Sequence, residues 1–188
     1  MTKKKKITLI VLTVILVLGG WWCYSRLCTG FRSGKVVDAV TGKPIEGAVV
    51  CMQWFTGSFF GIAGGTGAIY YETKTDEKGR YSVPCRCLNI SHLFEGIRDE
   101  NVMVYKDAYS GYEVSGTDYK PVGRSFASGT EDQPYRKKRN LVRLYRLKKS
   151  DSHRDHIDWI WTFGIYGWPE QLLEKELRKE MERADKER

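Results

Sequence analysis

Three groups of residues in this 188-residue chain have side chains able to do chemistry. The first lies in Ser-His-Arg-Asp-His-Ile-Asp at residues 152–158, where His153, Asp155 and His156 bring imidazole and carboxylate together. Imidazole ligates metals and moves protons near neutral pH, and carboxylates suit harder cations. His153 and His156 are three apart, so a helix would set them on one face. With His92 added, they are the candidate set for a small metal-dependent hydrolase. No further strong ligand joins them, and the chain has no G-x-S-x-G, H-E-x-x-H or Gly-rich phosphate loop. The set is therefore weak.

The second group is the cysteines, Cys23, Cys28, Cys51, Cys85 and Cys87. An odd number in an oxidising compartment leaves one thiol unpaired or paired between chains. Cys51 falls in one β-type run and Cys85-Arg86-Cys87 closes another, so Cys51 with Cys85 or Cys87 is a candidate disulfide. Buried or idle thiols are the alternative. Cys23 and Cys28 lie at the exit of an apolar segment and are placed for an interchain disulfide. C-x-C without a second pair is not a structural zinc pattern, and no cofactor is expected.

The third group is aromatic. Trp54, Phe55, Phe59 and Phe60 border a Gly-rich insert at residues 55–67, and Trp159, Trp161 and Trp168 stand in the aromatic run 157–168. Flat amphipathic rings suit contact with a sugar, a peptide or a partner protein. Capping the end of a domain, or resting on a bilayer surface, is the plainer use of the insert aromatics. Asn89-Ile90-Ser91 also matches a glycosylation sequon, which matters only in a eukaryotic secretory setting.

Those groups need elements to hold them. Four lysines at 3–6 precede an uncharged run at residues 7–24, which ends in Trp21, Trp22, Cys23 and Tyr24. That run is at the short end for a spanning helix. The lysines assign its N-terminus to the cytoplasmic side, and the aromatics suit the opposite interface. No A-x-A-like site follows, so an uncleaved signal anchor is expected over a cleaved signal peptide. Trp22 is a poor neighbour for a lipidated Cys23. The chain carries 31 basic and 23 acidic residues. Setting aside the four topology lysines leaves 27 against 23, an excess of about four, which gives no reason to expect nucleic acid.

Residues 33–84 alternate short β-type runs with turns of definite chemistry. Thr41-Gly42 provides a positive-φ position, and Pro44, lacking an N–H, belongs at a strand edge. Ala48, Val50 and Met52 recur with period two, as in a half-buried strand. Asp76 and Gly79 make Thr75–Gly79 a turn, after which Tyr81 and Val83 alternate. Tyr70 and Tyr71 point to opposite faces. Further strands are expected at residues 101–108 and 140–147, with a helical turn at 90–96 and a long polar connection over 115–138. The register of the closing strand stays open, because Leu141, Tyr145 and Leu147 cannot share one face with Val142. After Pro169, Leu172, Leu173, Leu177 and Met181 mark an amphipathic helix that docks on its own domain or on a partner. Arg136–Arg139 with Lys148 and Lys149 form a basic cluster, a solvated face or a contact for anionic lipid or glycan.

Gly34, Val36, Asp38, Gly42, Pro44, Ile45, Gly47, Ala48 and Val50, then Thr73, Thr75, Asp76, Gly79 and Tyr81, carry a family pattern. Val102–Val104 with Ser110-Gly111-Tyr112 continue it. Across residues 32–148 the chain resembles the carboxypeptidase regulatory-like domain, a transthyretin-like (prealbumin-like) family. The resemblance implies an all-β, antiparallel Greek-key β-sandwich used as an accessory module rather than a catalytic domain. The hydroxyisourate hydrolases share the fold, but their C-terminal signature is absent here.

The expected organisation is a basic tail (1–6), a transmembrane helix (7–24), a linker (25–31), the sandwich (32–148), and an aromatic segment with an amphipathic helix (149–188). The expected setting is the inner (cytoplasmic) membrane, crossed once, with the C-terminal domain in the periplasm or extracellular space. The expected function is a non-enzymatic membrane-tethered module for an envelope protein or glycan partner. A hydrolase using His153, Asp155 and His156 is the alternative.

Overall fold

The computed structural model describes residues 3–57, 67–88, 96–114, 122–126, 133–136, 139–148, 151–162 and 172–186. Helix α1 (Lys3–Leu27) opens the chain. Its stretch Lys4–Ser25 has 22 residues, none of them buried, and is long and apolar enough to cross a membrane. At about 1.5 Å per residue it spans about 33 Å, against roughly 30 Å of bilayer hydrocarbon. The helix extends past the uncharged run at both ends, so it includes lysines 4–6 and Ser25.

The rest of the described chain is mostly β, in two sheets. The smaller holds β1 (Arg32–Asp38), β4 (Arg80–Val83) and β9 (Asn140–Leu144) in the order β4-β1-β9. The larger holds β2 (Val49–Thr56), β3 (Gly67–Lys74), β5 (Ile97–Tyr105), β6 (Tyr112–Val114), β7 (Val122–Ser125) and β8 (Gln133–Pro134), in the order β3-β2-β5-β6-β7-β8. The fully antiparallel expectation needs one correction. β1 pairs antiparallel with β4 but parallel with β9. The chain reaches β9 from the far edge of the other sheet, and this long return lets β9 run alongside β1 in the same sense.

The turns form as their residues dictate. Asp38 Oδ1 accepts the N–H groups of Val40 (3.0 Å) and Thr41 (2.8 Å), while Gly42 takes φ +68°. Asp76 Oδ1 accepts from Lys78 (2.9 Å) and Arg80 (2.7 Å). Gly79 there has φ +70°, and a Cβ on it would lie 2.4 Å from the Val36 carbonyl oxygen. Only glycine fits. Thr75 Oγ donates to the Ile45 carbonyl (2.7 Å) and accepts from the Ala48 N–H (2.9 Å), tying the two turn regions together. Pro44 bridges Val37 at a sheet margin, where its missing N–H is harmless.

The inward faces of the two sheets share one core. Val36, Tyr81, Val83, Val142 and Leu144 of the small sheet meet Val50, Met52, Trp54, Val102, Val104, Tyr112 and Val114 of the large one. The register of β9 is thereby settled. Asn140, Val142 and Leu144 face inward, and Leu141 is 41% exposed.

A second core lies on the other side of the large sheet, beneath α2 (His153–Thr162) and α3 (Leu172–Lys186). There Val49, Cys51, Met103 and Tyr105 pack against Ile157, Ile160, Leu173 and Leu177. Burying each of the larger aliphatic side chains contributes roughly 1.5–3 kcal/mol. β2 is consequently buried on both faces for most of its length. The half-buried strand expected from Ala48, Val50 and Met52 is thus corrected, because the tail covers the second face.

Other differences are local. β5 ends at Tyr105, short of 108, and Ala108 then takes φ +64° in a turn. β7 and β8 lie within the stretch expected to be only a connection. In α3 the buried stripe is Leu173, Leu177 and Glu180, while Met181 is 43% exposed. The helical turn expected at 90–96, apart from Gly96, and the Asn89 sequon lie outside the described residues.

Candidate functional site at the helix–sheet junction

Where α1 ends, Cys28 and Thr29 run beside Arg86–Leu88. The Leu88 N–H donates to the Leu27 carbonyl (2.9 Å) and the Thr29 N–H to the Arg86 carbonyl (2.8 Å). The Arg86 N–H in turn donates to Thr29 Oγ (3.0 Å). This pairing sets Cys28 opposite Cys87, and the two form a disulfide. The expected bridge from Cys51 to Cys85 or Cys87 is therefore corrected. Cys51 faces the second core, where its thiol contacts Glu72 (3.6 Å), while Cys85 is exposed. Burial first, and then the Glu72 carboxylate, push the Cys51 thiol well above its usual range. Cys28, used within the chain, is not available for the interchain bridge. Cys23 is a half-buried free thiol. The sulfurs of Cys28, Cys85 and Cys87 all lie within 4.8 Å of one another, and the Tyr24 hydroxyl is 3.6 Å from Cys85 Sγ.

Next to this junction an ion pair crosses between the sheets. Arg32, the first residue of β1, donates to Glu100 of β5 through Nε (2.9 and 3.0 Å) and Nη2 (2.7 Å). Trp54 Nε1 donates to the same carboxylate (3.1 Å), as does the Tyr135 hydroxyl. Burial pulls the Arg32 guanidinium down, but Glu100 outweighs it and the net shift is upward. Burial, followed by the Glu100 charge, raises the Tyr135 hydroxyl far above its ordinary value. Removing one partner from such a buried pair costs about 3–5 kcal/mol. Trp54, expected as a candidate ligand contact, is 1% exposed and so is withdrawn from any aromatic platform. Its register partner Glu100 fixes its indole. Phe55 is half-buried in β2, and Phe59 and Phe60 lie outside the described residues.

Of the histidine cluster, His156 is engaged inside the fold. Ser152 caps α2 by accepting the Asp155 N–H (3.2 Å), and Asp155 itself is exposed. His156 is fully buried beneath α2. The Gly111 N–H donates to its Nε2 (3.0 Å), so Nδ1 carries the proton and meets Glu180 Oε1 at 3.3 Å. The Tyr105 hydroxyl donates to Glu180 Oε2 (2.5 Å). The His156 ring also lies against Tyr105 and Phe126, at centroid distances of 5.9 and 5.0 Å. Both ring nitrogens are engaged, and no lone pair is left for a metal. Glu180 was invisible to sequence reading because an acid between Leu177 and Met181 looks solvated. His153 is placed at the start of α2, and His92 lies outside the described residues.

Trp159 is half-buried, with its ring 5.8 Å from that of Phe126. It packs the second core rather than standing free. Trp161 belongs to the last turn of α2, and Trp168 and Pro169 lie outside the described residues. Glu72 of β3 is a second contributor that sequence did not reveal. Its Oε2 accepts the Leu172 N–H (2.7 Å), capping α3 from across the fold. Burial raises the Glu72 carboxyl despite the N–H groups of Leu172 and Leu173. Lys74 adds an ion pair to Glu176 (3.0 Å).

The reactive groups thus sort into two kinds. Glu100, His156, Glu180 and Cys51 are buried structural partners, whereas at the junction Cys85 and Cys87 are exposed and Cys28 is half-buried. No family model matches this chain, and no curated protein matches it either.

Proposed function

We propose that this protein is a membrane-tethered, exported β-sandwich module that presents a protein- or glycan-binding surface in the cell envelope, and that it is not an enzyme. The observation that carries the reading is the junction itself. A helix of spanning length, with none of its span residues buried, leads into a disulfide that fastens its end to the folded domain. Disulfides of this kind persist in oxidising compartments. Lysines at the start of α1 favour the cytoplasm for that end, which puts the bridge and the domain on the far side. The periplasmic face of an inner membrane fits this arrangement.

The transthyretin-like Greek-key assignment belongs to the same proposal. In its support, β2 and β3 form an antiparallel pair in one sheet, and the chain then crosses to place β4 beside β1 in the other. The non-enzymatic part draws support from the internal use of His156, Glu100 and Glu180.

Membranes from cells producing the full chain test the proposal. The protein should resist alkaline carbonate, should be cut by protease added to spheroplasts, and should yield a Cys28–Cys87 cross-linked peptide before reduction. Release by carbonate, together with fully reduced cysteines, would overturn it.

A further inference from the structure

Beyond tethering, the three sulfurs at the junction point to a reactive site. The isolated pairing sets Cys28 opposite Cys87, and the Cys85 sulfur lies beside their bridge, so that all three sulfurs fall within 4.8 Å of one another. Two of them form the bridge, and the third is an exposed thiol. A thiolate beside a disulfide attacks one of its sulfurs at a rate set by access and thiolate content.

We propose that Cys85, Cys28 and Cys87 form a thiol–disulfide exchange site whose bridge alternates between Cys28–Cys87 and Cys28–Cys85. The Cys85 thiol gives its proton to solvent and its thiolate attacks Cys28 Sγ. A Cys85–Cys28 bond forms, the Cys28–Cys87 bond breaks, and Cys87 leaves as a thiolate that takes up a proton. Two sulfurs are bridged and one is free before and after, so no oxidant or reductant is consumed. Attack on Cys87 instead would join residues two apart, whose Cα atoms in an extended strand lie about 6.6 Å apart, near the upper limit for a disulfide. Either bridge keeps α1 fastened to the segment after β4. Either one also offers a free thiol at the surface, where the disulfide of a partner protein or of a small molecule can be attacked.

The sequence makes the test direct. Trypsin cuts after Arg26, Arg32 and Arg86, so Cys23, Cys28, Cys85 and Cys87 fall on four different peptides. Full-length protein in detergent is exposed to limiting iodoacetamide at mildly alkaline pH, quenched in acid, digested without reduction and mapped. Exchange predicts label on both Cys85 and Cys87, summing to one equivalent, with both Cys28-linked peptides present. It also predicts that Cys87→Ser forms the Cys28–Cys85 bridge in high yield. Label on Cys85 alone, with Cys28 and Cys85 both free in Cys87→Ser, would overturn exchange and leave the tether intact. Absence of any Cys28-linked peptide would overturn both.

Discussion

The two sheets turn very different outer faces to their surroundings. The large sheet covers Val49, Cys51, Met103 and Tyr105 with α2 and α3. The small sheet leaves Lys35, Arg80, Leu141 and Arg143 exposed, with Lys35 registered opposite both Arg80 and Leu141. Like charges directly opposite in a sheet are destabilising, and the salt bridges of the described residues do not engage these three cations. The strands announce the difference. β4 and β9 alternate buried and exposed residues along their length, whereas β2 is buried almost throughout. A strand's pattern reports whether one face or both are covered, and here the cover comes from the chain's own tail.

The contrast breaks most sharply at Leu177. It is fully buried in α3 against the large sheet, so Leu177→Ala should lower unfolding stability by about 2–5 kcal/mol. Leu141→Ala, the same truncation on the bare face, should stay within about 0.5 kcal/mol. Urea unfolding of the two variants in detergent checks this, and equal losses would mean that the bare face is covered as well. Tyr105→Phe comes next. It removes the hydroxyl that donates to the buried Glu180 carboxylate, and hydrogen bonds to charged groups are worth about 1.5–3 kcal/mol. Gly111→Ala follows. A Cβ there would stand 2.6 Å from Trp159 Cζ3. The Trp159 ring must shift, at a cost of about 1–3 kcal/mol. Adding Trp159→Leu should recover part of that loss, and a double-mutant cycle should give a coupling above about 0.5 kcal/mol.

The covered side was also the harder one to read from sequence. Asp38, Gly42, Asp76 and Gly79 act through bonds to their near neighbours, so residue type and spacing were enough to foresee those turns. The mainly β character and the apolar N-terminal helix were legible for the same reason. Glu72, Glu180 and His156 act across 100, 75 and 45 residues of chain, on Leu172, Tyr105 and Gly111 respectively. Local pattern cannot reveal such partners. An acid on a helix that looks amphipathic is read as solvated. The disulfide failed for a related reason. Cys28 pairs with Cys87 because the linker after α1 lies along the segment that follows β4, and no periodicity in either stretch announces that.

The smallest and most discriminating prediction concerns pH, because one acid on each sheet is shifted in the opposite sense. Asp38 of β1 has its carboxyl held far below the usual range, chiefly by the Thr41 N–H against the effect of burial, with Arg146 (3.2 Å) and Tyr109 (3.1 Å) assisting. Arg146 is 71% exposed, so solvent screens the ion pair and it adds little. A depressed carboxyl contributes stability above the unfolded value of about 3.9, and that contribution is lost as pH falls toward the folded value. Glu72 of β3 is raised by burial, so its contribution is present below about 4.3 and is lost as pH rises through its folded value. Asp38→Asn should therefore lower the urea midpoint at neutral pH, with the gap closing below about pH 3.9. Glu72→Gln keeps an acceptor for the Leu172 N–H. It should hold or raise the midpoint at neutral pH and lose that advantage near pH 3. Parallel pH profiles for the two variants would mean that the tail does not enclose Glu72.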